Sequence, residues 1–392
     1  MSAALELIPR EASVAATGGH DRFRARAGAW VRSEVLPGLA EWERDETLPR
    51  SLFRSCGEAG LLGVMVPEAL GGSGLDYSYA VVMAEELMRH RAASAAVSLM
   101  VQSNTVCPLL LHFASPELKS EFLRPLATGE AVGALAATEP SGGSALTHTV
   151  RCTAERDGGD WVITGDKCYI TNGPIADTLL VLARTGPGNG PFTLSLIAVP
   201  ADAPGFRVVG THRKLALGAS PTGELRLDRC RVPARFTVGR VGHGYPQVAQ
   251  VLCHERLLIA IGSLAYARSV LEETAAVTPG RAARAELGRM GAWLEAGRAF
   301  AMEGAAGVCA GVTDAAATSM AKFALCELAQ RVVAECARIL GPAAAWEDAG
   351  VERALRETRV MSVFAGTSET MRELYGSRLA ALMRRAQPES GA

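Results

Sequence analysis

The sequence predicts an α+β fold: a helical N-terminal domain over residues 1–130, a β domain over 131–240 and a C-terminal helical bundle over 241–392. Three observations carry this expectation. Apolar residues recur with a helical period in the first and last zones, and alternate or run β-branched in the middle one. Gly, Pro and Asp clusters cut the middle zone into short pieces. The apolar share, 48% of 392 residues with aromatics at only 5%, is carried mostly by Ala, Leu and Val, which suits close-packed helices. A chain of this length holds roughly two or three domains and can bury a large core.

Taken in order, residues 23–42 and 79–90 read as amphipathic helices, the second bearing the Glu85-Glu86 pair. Between them Val66-Pro67-Glu68 and Gly71-Gly72-Ser73-Gly74 signal a loop. Residues 161–164, 178–184, 193–199 and 224–232 read as strands. In the last of these Leu225, Leu227 and Cys230 interleave with charged residues, as in a half-exposed antiparallel strand. Helical segments follow over 247–277, 281–312, 314–340 and 351–385, with Gly341-Pro342 ending the third. The last seven residues read as a disordered tail.

Charge and cysteine usage exclude several function classes. Forty Lys and Arg stand against 41 Asp and Glu, a net charge of −1, which lacks the cationic surplus a nucleic-acid binder needs. The stretch Met1 to Arg10 is too short and too acidic for a signal peptide, and each apolar run of about 18 residues is expected to contain a charge. No membrane span is therefore expected. The nine cysteines form no C-x-x-C pair, and the seven histidines form neither H-x-x-x-H nor HExxH. Buried reduced thiols in a cytoplasmic protein are the expectation, with no metal site.

Four stretches carry chemistry. Thr138-Glu139-Pro140-Ser141-Gly142-Gly143-Ser144 is a turn whose glycines let backbone N–H groups approach an anion or a polar ring; alone it also reads as a structural loop. In Gly165 to Gly173, Tyr169 and Thr171 stand two apart and so share one strand face, where a planar ring could stack on one and bond to the other; alone this is an ordinary strand end. On the helix 247–277, Val248, Val251, Leu252, Glu255, Ile259 and Gly262 keep helical spacing, placing Glu255 on the apolar stripe. A carboxylate deprived of water holds a proton more tightly, which suits a general base. The plainer readings pair Glu255 with a base such as Arg256, or rotate the helix to expose it. Finally, Gly366-Thr367-Ser368-Glu369 reads as a fresh helix start capped by Thr367 or Ser368, and a helix start is also an anion site.

In this order and spacing the segments resemble the acyl-CoA dehydrogenase family, from about residue 22 to residue 382. The resemblance rests on Val66-Pro67-Glu68 with Gly71-Gly72, Glu85-Glu86-Leu87, Pro125-Leu126-Ala127-Thr128-Gly129-Glu130, Thr138-Glu139-Pro140 and Tyr169-Ile170-Thr171-Asn172. It continues through Glu224-Leu225, Val232-Pro233, Glu255-Arg256 and Gly366-Thr367-Ser368-Glu369. It implies a middle domain that is β-barrel-like and a C-terminal four-helix bundle. It implies FAD, and removal of two hydrogens from the α and β carbons of an acyl thioester carried by CoA or by an acyl-carrier protein. Electron-transfer flavoprotein as electron acceptor and a homo-oligomer, dimer or tetramer, come with it. By motif, Thr138 contacts the flavin ring, and Ser144 the neighbouring phosphate or substrate. Tyr169 stands beside the flavin where the family usually has Trp or Phe, and Thr171 bonds near the hydride-accepting nitrogen. Thr367 and Glu369 join the cofactor-binding set; Arg256, Ala365 and Gly366 join Ser144 in the substrate-binding set.

Many members carry the catalytic base in a Glu-Gly-Thr motif near the C-terminus, where this chain has Ala365. The isovaleryl and long-chain branches instead place the Glu on the helix that here holds Glu255-Arg256. The resemblance therefore assigns the base to Glu255, with the two positions converging on one substrate carbon. The thioester oxygen is expected to take donors from a flavin ribityl hydroxyl and the Ala365 N–H, in the manner of an oxyanion hole.

Three departures stand out. The family's R-x-x-F-G-x-P segment is missing from the shorter stretch Ala275 to Arg281. Its Gly-Gly-x-Gly-Tyr loop appears as Gly341-Pro342-Ala343-Ala344-Ala345, and the usual Asp after Gly-Ser is Ala145. Such changes resemble members that work in bacterial secondary metabolism, some of which act on carrier-protein thioesters. A flavin oxidase or monooxygenase of the same fold, and a non-enzymatic scaffold that has lost FAD, stay open. A buried Glu255 argues against the monooxygenase, which needs no such base.

Overall fold

The computed structural model describes residues 18–278, 280–346 and 350–386. The segment Met1 to Arg10, Pro279 within the shortened stretch 275–281 and the tail beyond residue 386 lie outside the described residues. The helices are α1 (Gly18–Trp30), α2 (Leu36–Arg44), α3 (Ser51–Glu58), α4 (Tyr77–Arg89), α5 (Ala93–Val101), α6 (Cys107–Phe113), α7 (Pro116–Leu118), α8 (Arg124–Thr128), α9 (Leu146–Thr149), α10 (Gly244–Val277), α11 (Arg281–Cys309), α12 (Ala315–Leu340), α13 (Val351–Met361) and α14 (Ser368–Ala386). The strands are β1 (Gly133–Ala136), β2 (Thr153–Asp157), β3 (Asp160–Thr171), β4 (Thr178–Arg184), β5 (Leu194–Pro200), β6 (Phe206–Thr211), β7 (Thr222–Pro233) and β8 (Thr237–Val238). Packing divides the chain into two compact units, one of residues 30–75 and 92–255, the other of 18–29, 76–91 and 256–386.

The first unit holds one sheet in the order β6-β7-β3-β2-β4-β5-β8, with β1 pairing parallel to β4. β4 and β5 are buried at every residue except Arg184 and Pro200. Protein covers both faces, so they read as unbroken apolar runs rather than as alternation. β7 alternates as expected through Leu225 and Leu227, slips at Asp228-Arg229 and resumes at Cys230 and Val232. A register shift against β3 and a left-handed Arg229 (φ 48°) mark the extra residue of a bulge. The sequence expectation missed β1, β2, β6 and β8. β6 is exposed along nearly its whole length, so it carries no alternation to read.

The expectation that a charge breaks each long apolar run is corrected. Ala93–Phe113 overturns it, with no Asp, Glu, Lys or Arg, whereas Gly244–Val277 keeps to it through Glu255 and Arg256. Both are long and apolar enough to cross a membrane by length and composition, and most of each is buried inside the fold. Burial against protein asks for the same side chains as burial in lipid. Ala93–Phe113 carries Gln102 by bonding it fully: Nε2 donates to the Leu126 and Ala131 carbonyls (2.7 and 3.0 Å), and Oε1 accepts from Gly133 N (2.9 Å).

The second unit is helical. α4, expected to be amphipathic, is buried at every residue from Tyr77 to Met88 except Tyr79. Its two carboxylates survive there because arginines from α1 and α11 neutralise them. Arg24 reaches Glu85 and Glu86 at 2.8 and 2.9 Å, and Arg298 reaches Glu85 at 2.8 Å. The expected helix over 351–385 is two helices, α13 and α14, with a turn between them. All nine cysteines are free, and all but Cys309 are buried.

Candidate active site

In the sheet unit the loop 138–144 is seated on a buried ion pair. Glu139 accepts from Lys167 Nζ at 2.8 Å, and from the N–H groups of Arg151 and Cys152 at 2.6 and 3.0 Å. Lys167 Nζ also donates to the carbonyls of Leu182 (2.6 Å) and Ala137 (3.3 Å). Both side chains are buried, so each charge depends on the other and on these hydrogen bonds. The sequence reading passed over the pair; a Lys amid strand-forming residues was the available signal. The Thr138 carbonyl accepts from Cys168 N at 3.0 Å. A Cβ added at Gly143 would lie 3.0 Å from Thr138 Oγ1 and Cγ2, so glycine lets the loop close on Thr138 without displacing that side chain. Ser144 is exposed. Ala145 heads α9 without a side-chain cap, a service that Asp commonly performs.

Tyr169 and Thr171 lie on β3, but β3 is not the regular strand expected there. Cα pairing with β7 jumps from Lys167↔Leu225 to Ile170↔Gly223, and Tyr169 is left-handed at φ 59°. This bulge turns the Tyr169 ring outward, 65% exposed, where it stacks on His212 at 5.0 Å between centroids. Thr171 returns to the ladder opposite Thr222 and is half-buried. Asn172 anchors the strand end: its N–H donates to Pro221 O (2.7 Å), and Nδ2 to the carbonyls of Ser98 and Gly133 (2.9 and 3.2 Å).

Glu255 on α10 is buried, 8% exposed. The reading with the helix rotated to expose it is therefore excluded. The apolar stripe is wider than expected: residues 257–261 are all buried, so α10 has no solvated face beyond Arg256 in this stretch.

In the helical unit the turn after α13 holds Ala365 and Gly366 with positive φ, 54° and 111°. Cations hold both carbonyls: Arg256 Nε donates to Ala365 O at 3.1 Å, and Lys322 Nζ to Gly366 O at 2.6 Å. The Ala365 N–H makes no hydrogen bond among the described residues. Lys322, fully buried on α12, was missed by sequence reasoning; a lone cation in Met320-Ala321-Lys322-Phe323-Ala324 was its signal. Thr367 Oγ1 accepts from Thr370 N (3.3 Å) and so caps α14, the plainer of the two expectations. Glu369 is exposed in the first turn of α14, and its own backbone N–H and the Thr367 hydroxyl hold its carboxyl below the usual range.

The long-chain specific acyl-CoA dehydrogenase of mitochondria from Sus scrofa is 32% identical over 376 residues, covering 91% of this chain and 85% of the relative. The chain belongs to the acyl-CoA dehydrogenase family. Patterns of the acyl-CoA dehydrogenase N-terminal, middle and C-terminal domains match residues 17–130, 134–230 and 242–380. The crystal structure of an acyl-CoA dehydrogenase from Geobacillus kaustophilus superposes with a TM-score of 0.90 at 30% identity, over 94% of this chain and 99% of that one. A glutaryl-CoA dehydrogenase from Mycobacterium smegmatis, in complex with FADH2, gives a TM-score of 0.86 at 28% identity over 93% and 95%. As an acyl-CoA dehydrogenase-family member, this chain is an FAD-dependent oxidoreductase acting on a CH–CH bond, with the family's fold.

Proposed function

We propose that this enzyme desaturates an acyl thioester between its α and β carbons, with Glu255 as the base that takes the α-proton. The observation that carries the reading is Glu255 itself, a buried carboxyl on a helix that runs on through the buried apolar residues 257–261. A base there meets the acidic C–H without a competing shell of water. FAD, when bound, supplies the acceptor for the β-hydride.

The residues of the sheet unit fit a flavin. The bulge presents the Tyr169 ring outward for stacking. Thr171 and Thr138 offer hydroxyl donors, Gly143 leaves the room that a Cβ would fill, and exposed Ser144 offers a hydroxyl at the rim. The thioester is carried by CoA. An acyl-carrier-protein thioester presents the same reacting atoms, and electron-transfer flavoprotein would serve as the electron acceptor.

Rapid mixing with a panel of acyl-CoA and acyl-carrier-protein thioesters, following flavin bleaching, tests the reading. Glu255→Gln keeps volume but cannot accept the proton. Bleaching by the best substrate should slow by about 10² to 10⁴-fold while FAD stays bound. Bleaching at the wild-type rate would place the base elsewhere. Reoxidation by air as fast as by electron-transfer flavoprotein would make the enzyme an oxidase.

A further inference from the structure

Glu224 on β7 sits between two bulges. On one side, Cα pairing steps from Lys167↔Leu225 to Ile170↔Gly223, so Cys168 and Tyr169 together oppose Glu224. On the other, it steps from Val208↔Leu225 to Gly210↔Glu224, leaving Val209 as the extra residue on β6. The ladder then runs on past Thr211, with His212 N donating to Thr222 O at 2.8 Å. Two irregularities in neighbouring strands thus turn a thiol and an imidazole onto one carboxylate. Bulges commonly re-aim side chains in this way.

Cys168 Sγ lies 3.8 Å from His212 Nε2 and 4.0 Å from Glu224 Oε1, and those two atoms are 3.8 Å apart. The His212–Glu224 separation is too long for a hydrogen bond, whose N···O distance is about 2.7–3.2 Å. The three atoms form a nearly equilateral triangle, spaced as if around a common centre. Dividing the mean side by the square root of three puts that centre about 2.2 Å from each corner. Zinc takes thiolate sulfur at about 2.3 Å, imidazole nitrogen at about 2.0–2.1 Å and carboxylate oxygen at about 2.0–2.2 Å. The donor set mixes one soft, one intermediate and one hard ligand, as zinc-class ions accept and calcium or magnesium do not. Cys168 is buried, His212 three-quarters buried and Glu224 half-exposed, so an ion can enter from the carboxylate side.

We propose that Cys168, His212 and Glu224 bind one zinc-class divalent cation, leaving the fourth position to solvent. The ion ties β3, β7 and the end of β6 together, and holds the His212 ring on which Tyr169 stacks. The site lies within the sheet unit and needs neither Glu255 nor a thioester; it meets the proposed flavin site only through the Tyr169 ring stacked on His212.

The test uses the full-length protein with its flavin, cleared of metal by chelator and dialysis. Titration with Zn²⁺ should show one saturable site per chain. Co²⁺ in its place should give a thiolate-to-metal charge-transfer band with four-coordinate visible bands. Cys168→Ser and His212→Gln should each weaken Zn²⁺ binding at least about a hundredfold, since losing even an outer-shell partner costs 10–100-fold. Loss of the Co²⁺ charge-transfer band in Cys168→Ser, with an unchanged thermal melt, would confirm the ligand. Absence of saturable binding, a Co²⁺ spectrum without thiolate charge transfer in the wild type, or unchanged affinity in Cys168→Ser would each overturn the proposal. The wild-type Co²⁺ spectrum decides even if a variant fails to fold.

Discussion

Lys167 and Glu139 show how a single contact can support a whole loop. Each is buried, and Glu139 also takes two backbone N–H groups that would otherwise be orphaned beneath residues 138–144. Lys167→Met strands that carboxylate without its countercharge, which should cost about 3–5 kcal/mol, read as a lower urea midpoint. Lys167→Met with Glu139→Gln removes both charges and should recover part of the loss. At the flavin, Thr171→Ala takes away one donor. FAD titration should show binding weaker by roughly 0.5–1.5 kcal/mol, and unchanged affinity would remove Thr171 from the cofactor set. Tyr169 and Thr171 were visible in the sequence as residue types, but the route by which Tyr169 is presented was not. A bulge is a decision of strand pairing, and nothing in Lys167-Cys168-Tyr169-Ile170 announces it.

Elements with their own boundary chemistry were legible. Asp314 heads α12 and accepts from the N–H groups of Ala316 (2.8 Å) and Ala317 (3.3 Å), as an Asp before an Ala-rich run should. Asp314→Ala should cost about 1 kcal/mol of stability, measured by thermal melt, with flavin binding unchanged. Elements defined by a partner were not legible. α4 looks amphipathic because Glu85 and Glu86 look like a solvated face; arginines from α1 and α11 turn that face into buried ion pairs. Gly165 marks a similar limit. It stands just past the strand expected over 161–164, yet it lies inside β3 at φ 156°, where an added Cβ would fall 2.6 Å from Cys152 Cβ. Gly165→Ala must push strands apart and should cost about 1–3 kcal/mol by the same melt.

At the scale of the molecule, buried thiols set an alkaline limit. Burial pushes the Cys107 thiol up to about 12 and Cys152 up to about 11, against about 8.5 for an exposed thiol. Above the exposed value the unfolded chain loses these protons while the folded chain keeps them. Stability is then fully present below about pH 8.5 and falls as pH rises, by about 1.4 kcal/mol per pH unit for each such thiol. Melting temperature followed from pH 8 upward should drop, and Cys107→Ala should flatten the slope; a flat wild-type profile would contradict this. Assembly belongs to the same scale. α14 leaves Leu374, Leu379, Leu382 and Met383 about half-exposed or more, apolar surface that a second chain could cover. Light scattering at micromolar concentration should give at least twice the chain mass of 41.1 kDa; a monomer would refute the oligomer.

The sequence by itself determined the succession of helical and strand zones, the place of Glu255 among apolar residues at helical spacing, and the cap of α14. Each follows from periodicity or local chemistry within a few residues, which tertiary contacts had no need to revise. It also carried the family motifs, because spacing along the chain is what a motif records. Tertiary structure alone decided which charges go inside and what neutralises them, as at Lys167, Lys322 and Glu85. It alone brought Cys168, His212 and Glu224 within 4.0 Å of one another. Their separations along the chain, 44 residues and then 12, match no ligand spacing. The physical reason is that burying a charge or assembling a ligand set depends on distances across strands and between helices. Register and bulges fix those distances, and composition and periodicity contain no record of either.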